Sequence, residues 1–256
     1  MPTDHTLTGM PDFHDSLEYL RLHHDLSREA LAREADISAS YLHRIIRKRL
    51  HPGTKALPGL IGAFDLDAAQ QRHLHELLQP SADLAPITEL RSRLSDLGIQ
   101  SHLDSLDNHE VMAALFDPLQ TVLHGNRVFH RLMPGIADAG NNIVQWMCTP
   151  TARDSYDTWD DDMRYFVRML RTALGRYRDL PRARALFRTL RTYPEFRRVW
   201  DSTPMQLTYG PRTAPFRIRT TGSAIPTSLG IEVDEYDDCP DVIIVHGLYN
   251  TTAIAS

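Results

Sequence analysis

Cysteines are scarce in this chain of 256 residues, and long apolar runs are missing. The two cysteines, Cys148 and Cys239, are too few for a disulfide scaffold and lack the spacing of metal ligands. No apolar run approaches the roughly 20 residues that cross a bilayer. The first residues also lack the basic and then apolar pattern of a signal peptide. We therefore expect a cytoplasmic protein with two independent thiols and no membrane partner.

Sequence motifs of catalysis are also missing. There is no serine nucleophile elbow, no glycine-rich phosphate loop and no paired His–Glu zinc motif. Most of the 13 histidines precede residue 76. However, His73 and His75 are two positions apart and cannot share a helix face, and no cysteine lies nearby. We expect no enzyme activity, no catalytic or metal-binding residue and no cofactor.

Lysine is as rare as cysteine, and its position is informative. Lys48 and Lys55 are the only two lysines, although the chain has a formal net charge of −5. Residues 37–55 contain both lysines and three arginines, and no acidic residue. Because phosphate contact needs a local basic patch rather than a basic chain, this segment is a candidate nucleic-acid surface.

The same part of the chain has the residue pattern of a helix-turn-helix. Ser27 and Ser38 are predicted N-caps of two short helices, because a serine hydroxyl satisfies backbone N–H groups at a helix start. Asp36 lies at the turn, where a short polar side chain tolerates the left-handed conformation. The second helix has apolar residues on one face, namely Leu42, Ile45 and Ile46. Helix pairs of this kind place the second helix in the DNA major groove.

Eight residues are candidates for DNA contact, mostly on the other face of the second helix. They are Arg28, Ser38, Ala39, Ser40, His43, Arg44, Arg47 and Lys48. Arg44 and Arg47 are able to pair bidentately with guanine, whereas Arg28 and Lys48 are better placed for phosphate. The alternative is a solvated helix in a bundle with no DNA partner.

Apolar periodicity changes along the chain and predicts its organisation. Helical spacing predicts five short helices in a domain over residues 1–82. Residues 83–108 are predicted to be a linker with a connecting or dimerising helix over 87–106. Residues 109–256 mix short strands with helices and end in a period-two region. The predicted strands of that region are Gln206–Tyr209, Phe216–Thr220, Ile231–Glu235 and Val242–His246. We therefore predict an α-helical domain followed by an α+β domain with an antiparallel sheet and helices.

Several short motifs occur in the order seen in one family of regulators. The first half contains Tyr41-Leu42-His43-Arg44-Ile45, Leu66-Asp67 and Leu74. The second half contains Asn126, Asn142-Ile143-Val144-Gln145-Trp146, Pro150, Ala152-Arg153, Trp159-Asp160 and Pro194-Glu195-Phe196-Arg197-Arg198-Val199-Trp200. On these motifs the chain resembles MmyB-like transcription regulators, in which an Xre-type helix-turn-helix domain precedes a PAS-like ligand-binding domain.

This resemblance implies a double-stranded DNA operator, a homodimer and a small hydrophobic ligand such as a fatty acid. The ligand would lie between the sheet and the helices of the PAS-like domain. Candidate ligand-binding residues are Asn126, Phe129, Trp146, Trp159, Phe166 and Trp200. The alternative for the large aromatic residues is that they only fill the core.

The second half of the chain also admits a different function. It would then be a protein-interaction module that docks a protein partner and senses no ligand. In addition, residues 151–200 contain many arginines, which predict either the solvated face of two helices or a second phosphate-contacting surface.

Overall fold

A computed structural model describes residues 7–212, 214–219, 227–235, 239 and 241–249. The first part of the chain is helical, with α1 (Phe13–His23), α2 (Arg28–Glu34), α3 (Ala39–Lys48), α4 (Ala56–Gly62), α5 (Ala68–Leu78), α6 (Ile87–Asp96) and α7 (Ile99–Asn108). A hairpin, β1 (Met112–Phe116) and β2 (Val122–Gly125), follows. The next helices are α8 (Arg127–Leu132), α9 (Ile143–Met147), α10 (Pro150–Ser155), α11 (Trp159–Arg176), α12 (Pro181–Leu190) and α13 (Pro194–Ser202). The last strands are β3 (Phe216–Ile218), β4 (Thr227–Glu235) and β5 (Ile243–Tyr249).

Side-chain caps define the helix starts in the first unit, as predicted. The Ser27 hydroxyl accepts from the backbone N–H of Ala30, and that of Ser38 accepts from Tyr41. Asp36, in the connection between α2 and α3, has a φ of 52°, which confirms the predicted left-handed turn. Asp67 and Gln70 form a reciprocal capping box at the start of α5. These caps fix where α2, α3 and α5 begin, since an isolated helix of this length is marginal in water.

The first five helices enclose one apolar core. The buried face of α3 packs against α1 and α2, and α5 closes the unit. Leu31, Leu42 and Ile45 are fully buried there. Full burial of such side chains contributes about 1.5–3 kcal/mol each, so this core outweighs the weak intrinsic stability of the individual helices.

The second half is built on a five-stranded antiparallel sheet in the order β2-β1-β5-β4-β3. Its register places Met112, Val245 and Leu229 on one face, and this face lies toward α8 to α11. On the opposite face, α6 and α7 cover β2 and β1. The same face is exposed at Arg217 of β3, Glu232 of β4 and Leu248 of β5, so only part of it is covered. An antiparallel sheet with helices agrees with the predicted α+β class for the second half.

Two predicted elements of secondary structure are wrong. The single helix predicted over 87–106 is two helices, because Gly98 adopts a φ of 72° between α6 and α7. No strand forms at Gln206–Tyr209, which is irregular chain after α13. The other predicted strands are present with shifted ends, and Thr220 lies outside the described residues. Cys148 and Cys239 are both free thiols, as predicted.

Helices α6 and α7 are integrated into the second core. Leu90, Leu94, Ile99 and Leu103 are buried in the same apolar cluster as the sheet and the later helices. The predicted division into residues 1–82, 83–108 and 109–256 stays a prediction. Over the described residues, no helix combines the length and apolar character that crossing a membrane requires.

The two glycines of α4 give a matched test of packing in the first unit. A Cβ on Gly59 would lie 2.4 Å from the carbonyl oxygen of Ala35, whereas nothing lies within 4 Å of a Cβ on Gly62. We expect Gly59→Ala to lower the free energy of unfolding by about 1–3 kcal/mol through overpacking. Gly62→Ala should raise it by up to about 1 kcal/mol through helix propensity. Denaturant unfolding of both variants checks this, and equal effects would contradict the close α2–α4 contact.

Candidate functional site

One face of α3 is basic and exposed. His43, Arg44, Arg47 and Lys48 are all exposed, opposite the buried Leu42, Ile45 and Ile46. Within the described part of the chain, none of the four forms an ion pair. Ala39 and Ser40 are exposed in the first turn of the same helix. This face therefore presents free positive charge beside two small residues that allow close approach.

Two neighbouring arginines, Arg28 and Arg49, form ion pairs within the protein. Arg28 donates to a carboxylate oxygen of Glu18 at 2.7 Å. Arg49, at the C-cap of α3, pairs with Asp12 and Asp15 at the start of α1. Hydrogen bonds from Arg21 and Arg28 hold the pKa of Glu18 below its usual value, against the opposing effect of burial. Both arginines thus fasten α2 and α3 to α1.

An apolar cavity of about 100 Å³ lies between the sheet and the helices of the second half. Every strand except β2 contributes alternate side chains from the same sheet face, consistent with the period-two pattern. Phe129 of α8 and Phe166 of α11 form part of the opposite wall. Phe166 stacks on Phe216 of β3, with ring centroids 5.5 Å apart. The cavity is smaller than the roughly 300–1,000 Å³ of drug-sized pockets, so it suits a slender apolar group.

The polar groups of this cavity come mainly from the β1–β2 loop. Asp117 pairs with Arg182 and also accepts from the Thr121 backbone N–H. Gln120 is only 6% exposed, and its amide donates to the Phe166 carbonyl at 3.0 Å. Its Oε1 is buried and has no partner in the described part of the chain. Burial raises the pKa of the Tyr156 hydroxyl, which therefore stays protonated. No arginine, lysine or histidine is among the described lining residues.

The six predicted ligand-binding residues occupy different places. Phe129 and Phe166 line the cavity. Trp146 and Trp159 lie beside it, and their indole N–H groups donate to the carbonyls of Pro134 and Met147. Trp200 is fully buried near the first unit and stacks on Phe196. Ligand contact by these residues stays a prediction.

Asn126, the sixth residue, connects the hairpin to α8. Its Oδ1 accepts from the backbone N–H groups of Ala113 and Phe129, and its Nδ2 donates to the carbonyl of Val111. These three hydrogen bonds join the backbone at the start of β1 to the N-terminus of α8, where Asn126 is the N-cap.

Sequence reasoning did not select Gln120, Tyr156 and Phe216, which all line the cavity. Gln120 lies in the β1–β2 loop after Asp117-Pro118 and has a φ of 64°, which a single sequence does not reveal. Phe216 could have been selected, because Phe216 and Ile218 are two positions apart in a predicted strand and therefore lie on the same sheet face.

Comparison with known proteins gives one family match. Helices and an antiparallel sheet around an apolar cavity define the second half as an α+β domain. Residues 98–223 match the family model of the MmyB-like transcription regulator ligand binding domain. No curated protein gives a significant match. The family match supports an MmyB-like regulator with a ligand-binding domain, and it ends before β4 and β5, which complete the cavity wall.

The contacts of Asn126 predict a structural effect that does not depend on ligand. Asn126→Ala would leave two buried N–H groups and one carbonyl without their partner, so we expect the free energy of unfolding to fall by about 2–3 kcal/mol. Asn108→Ala, at an exposed site, should change it by less than about 0.5 kcal/mol. Denaturant unfolding of the ligand-free proteins measures both, and an unchanged Asn126→Ala stability would instead favour a role confined to ligand contact.

Proposed function

We propose that this protein is a DNA-binding transcription regulator of the Xre type whose PAS-like second domain senses a small hydrophobic ligand. The family match over residues 98–223 is the observation that carries the regulator assignment. The proposal assigns no catalytic step, cofactor or metal to the chain.

The exposed basic face of α3 supports the DNA-binding part. Its charges are unpaired among the described residues, whereas Arg28 and Arg49 are neutralised by acidic partners. Counterion release from DNA by such free cations supplies most non-specific affinity. Arg44 and Arg47 lie three positions apart on one helix face, so both reach the same groove. We assign base contact to them, and phosphate contact to Lys48 and, after rearrangement of its ion pair, to Arg28.

Replacing the two recognition arginines tests this part. We expect Arg44→Ala and Arg47→Ala each to weaken specific binding by at least about fivefold, since a bidentate guanine contact contributes about 1–3 kcal/mol. The target is first selected from duplexes with a randomised central segment, and affinity is then measured by fluorescence anisotropy at several salt concentrations. Arg197→Ala is the control, because Arg197 is an exposed arginine of α13. Equal affinity of the Arg44, Arg47 and control variants would refute the assignment of α3.

The ligand-binding part is supported by the composition of the cavity. Among the described residues, its walls are apolar, its one carboxylate is paired with Arg182, and Gln120 Oε1 has no donor. The nearby Arg212 pairs with the buried Asp162 and is not a free cation. A fatty-acid-like ligand therefore fits best with an uncharged polar end, such as a protonated carboxyl or a hydroxyl, that donates to Gln120. The sheet order and the helices on the cavity side support the PAS-like interpretation.

A pair of ligands tests this contact directly. 1-Octanol has a donor at its polar end and 1-methoxyoctane does not, while their chains are alike. We expect the protein to prefer octanol by about 0.5–1.5 kcal/mol, the net value of one hydrogen bond. Gln120→Leu should remove that preference, as measured by isothermal titration calorimetry. The same preference in both proteins would contradict the role of Gln120, and no binding of either compound would contradict the ligand cavity itself.

Regulation is proposed to act through a homodimer. One helix-turn-helix unit buries too little DNA surface for tight and specific binding alone. A dimer would contact two half-sites about one helical turn apart. Ligand binding would then change the relative placement of the two DNA-binding units and shift operator affinity.

A further inference from the structure

A second cavity lies where the helical unit meets the second half. Its volume is about 310 Å³, and its lining differs from that of the apolar cavity because it is rich in polar groups. Ser16 of α1 and His73 of α5 come from the first unit. Arg171 of α11 and Trp200 of α13 come from the second half, and residues 7–12 cover one side.

Arg171 is the unusual group of this cavity. The residue is 3% exposed, and within the described chain no carboxylate lies within ion-pair distance of it. Its guanidinium stacks on the Trp200 ring at 3.9 Å and donates to the Trp200 carbonyl at 2.7 Å, but its Nε has no partner. Burial lowers the pKa of Arg171 to about 9. A buried charge of this kind is costly unless a counter-charge accompanies it.

Two more side chains that line this cavity have a nitrogen atom without a partner among the described residues. The indole Nε1 of Trp200 is buried and donates to nothing among the described residues. His73 is 1% exposed, and its Nδ1 lies against Gly175 of α11 with no partner among the described residues. Burial lowers the pKa of His73 to about 3, so the imidazole is neutral. Buried polar atoms are almost always hydrogen-bonded. Their concentration at one cavity therefore points to a bound group that supplies acceptor atoms.

The nearby carboxylates already form ion pairs with other arginines. Asp12 and Asp15, which also line the cavity, both pair with Arg49. Asp201, whose charge acts on Arg171, pairs with Arg191 at 2.6 Å. The positive charge of Arg171 is thus left for a ligand from solution.

We propose that this cavity binds a small oxyanion of the phosphate or carboxylate class. Arg171 supplies the charge, and its Nε and the Trp200 indole N–H supply hydrogen bonds. The neutral His73 adds a ring nitrogen from the first unit, and Ser16 adds a hydroxyl. The anion would contact side chains of both halves, so its binding would stabilise their junction.

The three tryptophans provide a built-in assay. The indole N–H groups of Trp146 and Trp159 donate to carbonyls elsewhere, whereas that of Trp200 has no acceptor among the residues that the structure describes. In ¹H–¹⁵N spectra of the full chain, titration with sodium phosphate or sodium acetate should therefore shift only the Trp200 indole signal. Ionic strength is held constant with sodium chloride. Trp200→Phe assigns the signal, and the two titrations distinguish inorganic phosphate from a carboxylate.

Replacement of the charge is the decisive variant. Arg171→Met should abolish the shift, whereas Arg188→Met, at an exposed arginine of α12, should leave it unchanged. Arg171→Lys keeps the charge but loses the guanidinium Nε donor, so we expect binding at least about threefold weaker. If the Arg171→Met protein fails to fold, the Arg171→Lys protein serves as the test instead. A Trp200 signal that is the same in phosphate, acetate and chloride, or equal binding by the Lys variant and the unmodified protein, would overturn the proposal.

Discussion

The close contact between α5 and α11 is the constraint on which the arrangement of the two halves depends. Gly175 of α11 lies against the His73 ring so closely that an added Cβ would be 2.5 Å from its Cε1. Because glycine has no side chain at this point, the two helices approach closely. The His73 ring is then buried between them. The Ala82 backbone N–H donates to the Arg176 carbonyl and fixes the chain that leaves α5. The first unit is thus held against the second by backbone proximity as well as by apolar packing.

Because α11 has 18 residues, it extends about 27 Å and connects two sites that are otherwise separate. Near its middle, Phe166 lines the apolar cavity and its carbonyl accepts from Gln120. One and a half turns later Arg171 reaches the polar cavity, and Gly175 follows at α5. A group that moves Phe166 therefore acts on the same rigid element that carries the junction. This gives the proposed sensor a direct physical connection to the helices that support α3.

Local chemistry explains which parts of this structure were predictable from sequence. The caps Ser27 and Ser38, the left-handed Asp36 and the apolar face of α3 depend on neighbours within a few residues, and all of them could be predicted. The break at Gly98 was missed because apolar spacing continues through it, so periodicity alone predicted one helix. The placement of Trp200 near the first unit, and of Gln120 in the cavity, depends on contacts between distant segments. Aromatic composition indicates a core or a pocket, but it does not distinguish the two.

Three buried or half-buried arginines of the second half differ in whether a carboxylate compensates their charge. Arg182 reaches the fully buried carboxylate of Asp117, and Arg212 reaches that of Asp162, so each cation is compensated by an anion within the fold. Arg171 is more deeply buried than either, yet no carboxylate among the described residues pairs with it. An aromatic face and a carbonyl contact the guanidinium, and Asp201, which pairs with Arg191, acts on its charge without direct contact. A cation–π contact contributes about 2 kcal/mol when desolvated, which is less than the several kcal/mol that desolvation of an ion costs. If the fold used Arg171 only as packing, an apolar side chain on the Trp200 ring would serve better. A bound anion explains more simply why a charged Arg171 lies beside a polar cavity, because the anion would compensate the charge.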